Sequence, residues 1–170
     1  AVKHPKWKMG KKISIDSSNL MNKVLELIEA YRLFPFNRKK YEIIIHPQSL
    51  IHAIVVLKNG QTKFLYHETD MKIPIANAIF ENKFDSENFI YPKKNILNKF
   101  GNLKFLKVDK KRFPIVTLLS KFSSSSSGPI ILNASNEVLV NKFIDGKISF
   151  NSIYFYLKAV LVHKDYQKYA

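Results

Sequence analysis

The stretch from Ile15 to Arg32 constrains the fold more than any other. Leu20, Met21, Val24, Leu25, Ile28 and Tyr31 recur there at intervals of three and four. At about 100° per residue they fall on one stripe, which predicts an amphipathic helix with that stripe buried. Asp16, Ser17 and Ser18 suit an N-cap, because each side-chain oxygen can accept a first-turn N–H, so the helix is expected to open there. The other side carries Asn19, Asn22, Lys23, Glu26 and Glu29 within an arc of about 120°. Most helices with such a face simply present it to water. A ligand-binding alternative stays open. The helix N-terminus would favour an anion at Ser17 and Ser18, and Lys23 would add positive charge. Glu26 would offer the hard oxygen that Mg²⁺ or Mn²⁺ prefers.

The rest of the chain divides around this helix. Residues 1–12 read as a loop punctuated by Pro5 and Gly10, with Trp7 among lysines. Ile13–Ile15 is a short β-type run leading into the helix, and Phe34-Pro35-Phe36-Asn37 ends it. Glu42–Ile45 reads as a strand. Ile51–Leu57 and Thr62–Tyr66 flank Asn59-Gly60, which predicts a hairpin with a type I′ turn. Ile73–Phe80 is expected to be a short helix starting near Pro74. Residues 81–108 keep no period and read as a linker or irregular crossover. Asp109 to Pro114 opens a predicted helix, Ile115–Phe122. Ser123–Ser127 with Gly128 and Pro129 reads as a low-complexity loop. Helices are then predicted over Ala134–Ile144, with Gly146 as C-cap, and over Ile153–Val162 after Ser149–Ser152. The expected fold is α+β: a mixed or antiparallel sheet with helices, followed by a small all-α C-terminal domain. The expected domains are 1–80, a linker over 81–108, and a helical domain over 109–170.

Composition narrows the function. Among 170 residues there is no cysteine, which excludes disulfides, zinc–thiolate sites and cysteine nucleophiles. No apolar run approaches the roughly 20 residues of a bilayer span, and Ala1–Pro5 lacks an apolar signal core. The net charge of +15 raises nucleic acid as a partner. Against that, the lysines are spread out, and Arg38-Lys39-Lys40 and Lys110-Lys111-Arg112 are short clusters; the charge can equally attract an anionic phosphate. His46, His52, His67 and His163 match no metal-ligand spacing and are expected to make local hydrogen bonds. His4 is the histidine to which function is assigned, since its imidazole can hydrogen-bond a substrate oxygen and titrates near working pH.

Four segments carry a resemblance: His4-Pro5-Lys6-Trp7-Lys8-Met9-Gly10-Lys11-Lys12-Ile13-Ser14, Ile45-His46-Pro47-Gln48-Ser49-Leu50-Ile51-His52, Asp70-Met71-Lys72-Ile73-Pro74-Ile75-Ala76, and Leu132-Asn133-Ala134-Ser135-Asn136-Glu137-Val138. In this order and spacing the chain resembles the 1-deoxy-D-xylulose 5-phosphate reductoisomerase family, the NADPH-dependent enzymes of the non-mevalonate isoprenoid pathway. The likeness covers nearly the whole chain, most weakly 81–108 and beyond about residue 155. It implies that 1–80 is the central catalytic domain and that 1–12 is a lid closing over the substrate. It further implies that His4 contacts the substrate while Trp7 and Met9 cover it; Lys6 and Lys8 stand where the family has smaller polar residues. Ser17, Asn22 and Lys23 fall on the substrate-phosphate pocket and Glu26 on a metal ligand, for Mg²⁺ or Mn²⁺, with Co²⁺ also acceptable. The implied chemistry is metal-assisted rearrangement of 1-deoxy-D-xylulose 5-phosphate, then reduction by NADPH to 2-C-methyl-D-erythritol 4-phosphate.

The resemblance also implies a homodimer through the central sheet and a setting in the bacterial cytoplasm or a plastid-type organelle. Asn133, Asn136 and Glu137 match a family motif without assignable chemistry; packing between domains is expected of them. Two family features are missing from this sequence: a glycine-rich Rossmann turn for NADPH and an Asp-Ser-Glu metal motif ahead of the lid. Cofactor-binding residues therefore stay unassigned, and Glu26 alone cannot make a tight Mg²⁺ site. The expectation is a C-terminal portion with little or no activity by itself, whose missing N-terminal half comes from another polypeptide or from sequence beyond this stretch. The alternatives are a phosphate-binding module or an inactive remnant, and, further off, a basic nucleic-acid-binding domain.

Overall fold

The computed structural model describes residues 2, 9–81, 83, 85, 102–121 and 127–169. His4, Trp7, most of the expected 81–108 linker and the serines 123–126 lie outside the described residues. The chain forms two compact units, one of residues 1–43 with 108–170 and one of residues 44–107. The expected division at 80 and 109 follows different lines: the first two helices group with the C-terminal helices, not with the strands.

The first unit begins with α1 (Lys11–Ser18) and α2 (Met21–Leu33). Two expectations are corrected here. Ile13–Ile15 is helical, not extended, and Asp16, Ser17 and Ser18 close α1 instead of opening α2. The physical reason is burial. Ser14, Ile15 and Asp16 are all buried on α1, and tertiary packing overrides the β-branched preference of the isoleucines. The chain turns at Asn19-Leu20. The Asn19 N–H donates to the Ile15 carbonyl at 3.2 Å and the Leu20 N–H to the Ser17 carbonyl at 3.3 Å. Leu20 sits in the left-handed region at φ 68°, a cost for a non-glycine residue that its packing against the core holds in place.

The predicted stripe on α2 is buried as expected. Met21 and Val24 are fully enclosed, while Leu20, Leu25 and Ile28 pack against the same core. Tyr31 is half-buried and meets the Tyr41 ring edge-on at 5.1 Å. The core is completed by a 3₁₀ helix, Pro114–Lys121, where an α-helix over Ile115–Phe122 was expected, and by α4 (Gly128–Ile144) and α5 (Phe150–Val162). Leu132 and Val140 on α4 and Ile153, Leu157 and Leu161 on α5 recur every turn or two and face inward with Ile115 and Leu118. α4 starts earlier than the predicted Ala134. Pro129 lies in its first turn, where the missing N–H costs nothing. It ends as predicted, with Gly146 at φ 74° donating its N–H to the Phe143 carbonyl at 3.0 Å. Ser149 caps α5 by accepting the Ser152 N–H at 3.3 Å. A short α6 (Lys164–Tyr169) follows.

The second unit is built of antiparallel pairs. β1 (Ile44–Ile45) pairs with β4 (Leu106–Lys107), and β2 (Ile51–Val56) pairs with β3 (Thr62–Tyr66), with an irregularity between Ile51 and Ala53. β4 lies inside the segment read as a linker; the β-type run Phe105-Leu106-Lys107-Val108 was its signal. The hairpin forms where predicted, but its turn is not type I′. Only Gly60 takes positive φ, at 86°, and its N–H donates to the Leu57 carbonyl at 3.1 Å. α3 (Lys72–Ile79) carries Pro74 in its first turn, and the Lys72 N–H donates to Asp70 Oδ1 at 2.9 Å. These strands and helices bear out the α+β class with a helical C-terminal part. No helix among the described residues is long and apolar enough to cross a membrane.

Candidate phosphate-binding site at the start of α2

The first turn of α2 concentrates the polar chemistry. Its N-cap position is Leu20, which has no side-chain acceptor. Asn19 Oδ1 takes up the Met21 N–H at 2.9 Å, leaving the Asn22 and Lys23 amides without a capping oxygen at the positive end of a thirteen-residue helix. From the same turn Asn22 Nδ2 donates to Glu26 Oε1 at 2.7 Å, and Lys23 Nζ donates to Oε2 at 2.7 Å and Oε1 at 3.0 Å. Three of the residues singled out in the sequence are thus brought together: an amide, an ammonium and a carboxylate, each partly open to water. Glu29, on the same face, is exposed.

The serines differ from expectation. Ser17 and Ser18 lie in the last turn of α1, at the negative end of a helix, and Ser18 Oγ donates to the Ile15 carbonyl at 2.7 Å. The anion-attracting terminus is therefore at Asn22 and Lys23, further along the chain. Ser17 lies just before the elbow, separated from it by Ser18, and is half-buried. Met9, the described member of the expected lid, is half-buried ahead of α1. A cavity of about 270 Å³ opens beside the elbow between Ser18, Asn19, Arg112, Phe113, Asn151 and Tyr154. Asn22, Lys23 and Glu26 do not line it.

The histidines make the local bonds expected of them. His46 Nδ1 lies 2.8 Å from the Lys104 carbonyl, His52 Nε2 3.1 Å from the His67 carbonyl, and His67 Nδ1 2.7 Å from the Glu68 carbonyl. His163 accepts the Asp165 N–H. The described residues hold no group of three or more His, Asp or Glu side chains that could bind a metal.

Packing between domains is the expectation for Asn136; instead it bonds Asp16 inside the helical unit, a pairing the sequence reading missed. Asp16 is 3% exposed and Asn136 is 0% exposed. Asn136 Nδ2 donates to Asp16 Oδ1 at 2.8 Å, and Lys12 Nζ donates to Asp16 Oδ2 at 2.9 Å. The signal was available, because Asn136 falls one turn from both Leu132 and Val140, inside an otherwise apolar stripe.

A unit of packed helices and a unit of antiparallel strand pairs make this an α+β protein. Residues 67–170 match the DXP reductoisomerase C-terminal domain, and residues 1–34 match the 1-deoxy-D-xylulose 5-phosphate reductoisomerase C-terminal domain. The reductoisomerase of Pelagibacter ubique is 44% identical over 154 residues, covering 90% of this chain and 39% of the relative. That of the Wolbachia from Culex pipiens is 39% identical over 173 residues, covering 100% and 43%. A crystal structure of DOX-P reductoisomerase in complex with NADPH, fosmidomycin and magnesium superposes with a TM-score of 0.90 at 38% identity, over 100% of this chain and 41% of that one. The Zymomonas mobilis enzyme in complex with NADPH gives 0.80 at 36% identity, over 95% and 41%. The chain belongs to the 1-deoxy-D-xylulose 5-phosphate reductoisomerase family. It spans about two-fifths of the length of these relatives.

Proposed function

We propose that this chain supplies the substrate-phosphate side of a 1-deoxy-D-xylulose 5-phosphate reductoisomerase active site. The observation that carries the reading is the uncapped start of α2 with Asn22 and Lys23 in its first turn. Asn22 Nδ2 and the Ser17 hydroxyl donate to phosphate oxygens, and the Lys23 ammonium supplies the charge. His4 hydrogen-bonds the substrate, and Trp7 and Met9 cover it and exclude water. In the solved relatives magnesium and NADPH accompany the enzyme.

The described residues do not by themselves fit either group. Glu26 is a lone carboxylate whose two oxygens are taken by Lys23 and Asn22, whereas Mg²⁺ needs about six oxygens, and no metal-binding cluster occurs among the described residues. Glu26 is therefore at most one ligand of a cation whose other ligands come from outside this set. Among the described residues no glycine opens a helix directly after a strand, as a dinucleotide turn requires. The nicotinamide cofactor is accordingly assigned to residues outside this set. Pairing of two copies through the β2–β3 hairpin is part of the same reading, supported by the exposure of Val55, Val56, Phe64 and Leu65.

The test is NADPH oxidation with 1-deoxy-D-xylulose 5-phosphate and Mn²⁺ by the purified chain. No turnover is expected from the chain alone, and turnover is expected once a separately supplied N-terminal half is added. Turnover by the chain alone, abolished by Glu26→Ala, would overturn the division of labour. A phosphate-binding module without catalysis is the second reading, favoured by the incomplete metal ligand set.

A further inference from the structure

The pair Asp16 and Asn136 has no part in the phosphate reading, yet it joins two buried polar side chains in the helical unit. We infer that Asp16 and Asn136 form a strut that positions the phosphate-binding elbow. Its contribution to phosphate binding rests on the reading of Ser17, Asn22 and Lys23 given above.

Three observations carry the inference. The first is chemical. A carboxylate at 3% exposure is costly unless it is paired, and Asp16 has a donor on each oxygen: Asn136 from α4 and Lys12 from its own helix. Asn136 Oδ1 has no hydrogen-bond partner, so its amide is oriented by Asp16. An apolar residue at 136 would continue the Leu132–Val140 stripe but would strip Asp16 Oδ1 of its donor. What the asparagine adds over an apolar residue is register, because its bond to Asp16 is directional where hydrophobic packing is not.

The second observation is mechanical. α1 has eight residues, too few to be stable as a helix by itself. It runs into an elbow that holds Leu20 at φ 68°. The Asp16–Asn136 bond pins α1 to the seventeen-residue α4 one residue before Ser17. The third is connectivity. The Ser17 carbonyl accepts the Leu20 N–H, and the Leu20 carbonyl accepts the Val24 N–H at 3.1 Å. Fixing Asp16 therefore fixes Ser17 and, through two successive backbone bonds, the start of α2. Asp16 and Asn136 are positioning residues; neither is placed on the ligand.

The test uses the full chain, amide hydrogen exchange and titration with inorganic phosphate. Asn136→Leu keeps the branched shape at a somewhat larger volume and removes the donor. It is expected to speed exchange at Asn19, Leu20 and Val24 at least about tenfold while Ile153 to Leu161 stay within about twofold. It should also raise the phosphate dissociation constant about fivefold. The exchanged pair Asp16→Asn with Asn136→Asp keeps one amide donating to one carboxylate and should restore both readouts, which a purely volumetric role would not. If Asn136→Leu fails to fold, Asn136→Asp serves instead. Two carboxylates then face each other, and the elbow's protection relative to the intrinsic exchange rate should fall at neutral pH and recover in acid, where a shared proton replaces the amide hydrogen. Unchanged elbow exchange overturns the strut. Faster exchange with unchanged phosphate affinity overturns the positioning role. Lys23→Met tests the underlying reading separately: if it leaves phosphate affinity untouched, the phosphate site is wrong, and the exchange rates still decide the strut.

Discussion

Lys23 faces a choice of partners. In the ligand-free chain it holds Glu26 at 2.7 Å, with both side chains over two-fifths exposed. An exposed ion pair of this kind is worth about 0.2–1 kcal/mol, and a charge-assisted bond to a phosphate is worth about 1.5–3 kcal/mol, so phosphate wins the lysine. Two opposite effects follow. Lys23→Met should weaken inorganic phosphate binding about tenfold, while Glu26→Gln, which removes the internal competitor, should tighten it about two- to fivefold. Calorimetric titration of both variants checks the pair, and a Glu26→Gln variant that binds more weakly would mean that Glu26 orients the lysine instead of competing for it. At this scale the sequence was informative about Asn22, Lys23 and Glu26, because helical spacing alone puts them on one arc. It was misleading about Ser17 and Ser18. Their N-cap propensity is real, but the last turn of α1 had a prior claim on them through the burial of Ile15 and Asp16.

At the scale of elements, two backbone features make predictions. Ser49 sits at φ 56° in the turn after β1, where its N–H donates to the His46 carbonyl at 3.0 Å. A non-glycine residue in that region costs about 1 kcal/mol, so Ser49→Gly should stabilise this turn by a few tenths to about 1 kcal/mol, visible as a higher urea midpoint. The tyrosines of the helical unit set an alkaline limit. Burial pushes the Tyr31 hydroxyl above the ordinary value near 10; Arg38 offsets part of this and Tyr41 adds to it. Burial alone raises Tyr166. Below pH 10 both phenols are neutral in folded and unfolded chains and contribute nothing to the pH dependence. Above it the unfolded chain releases these protons first, so stability falls as pH rises from 10 through the raised folded values. Tyr31→Phe and Tyr166→Phe should each flatten that fall in a melting series; a slope unchanged in both would contradict the assignment.

Across the whole molecule, burial is unevenly shared. Every fully buried side chain among the described residues lies in the helical unit, and none lies within 44–107. Leu157→Ala, at 1% exposure in the middle of α5, should cost about 2–5 kcal/mol and lower the helical melting midpoint. In a lone copy the β2–β3 ladder would exchange its amides at least about a hundredfold faster than α4 and α5, since its strands leave Val55, Val56, Phe64 and Leu65 open to water; the proposed pairing predicts that this gap closes. Comparable protection in both units would show that something covers the hairpin in solution, as the proposed pairing of copies requires.

What the sequence determined by itself is whatever depends on near neighbours along the chain. The stripe Met21–Val24–Ile28, the hairpin around Gly60, the end of α4 at Gly146 and the Ser149 cap each arise from a few consecutive side chains and their preferred dihedrals, so periodicity and turn chemistry sufficed to read them. Tertiary structure decided what depends on distant partners. Ile13–Ile15 became helix because the core needed Ile15. Asn19-Leu20 became an elbow because Leu20 packs inward. The first two helices grouped with residues 108–170, and Asp16 found Asn136 from 120 residues away. Propensity in each of these is worth tenths of a kcal/mol, whereas burying a side chain or pairing a buried carboxylate is worth whole ones, and those stronger interactions form only when the chain has closed on itself.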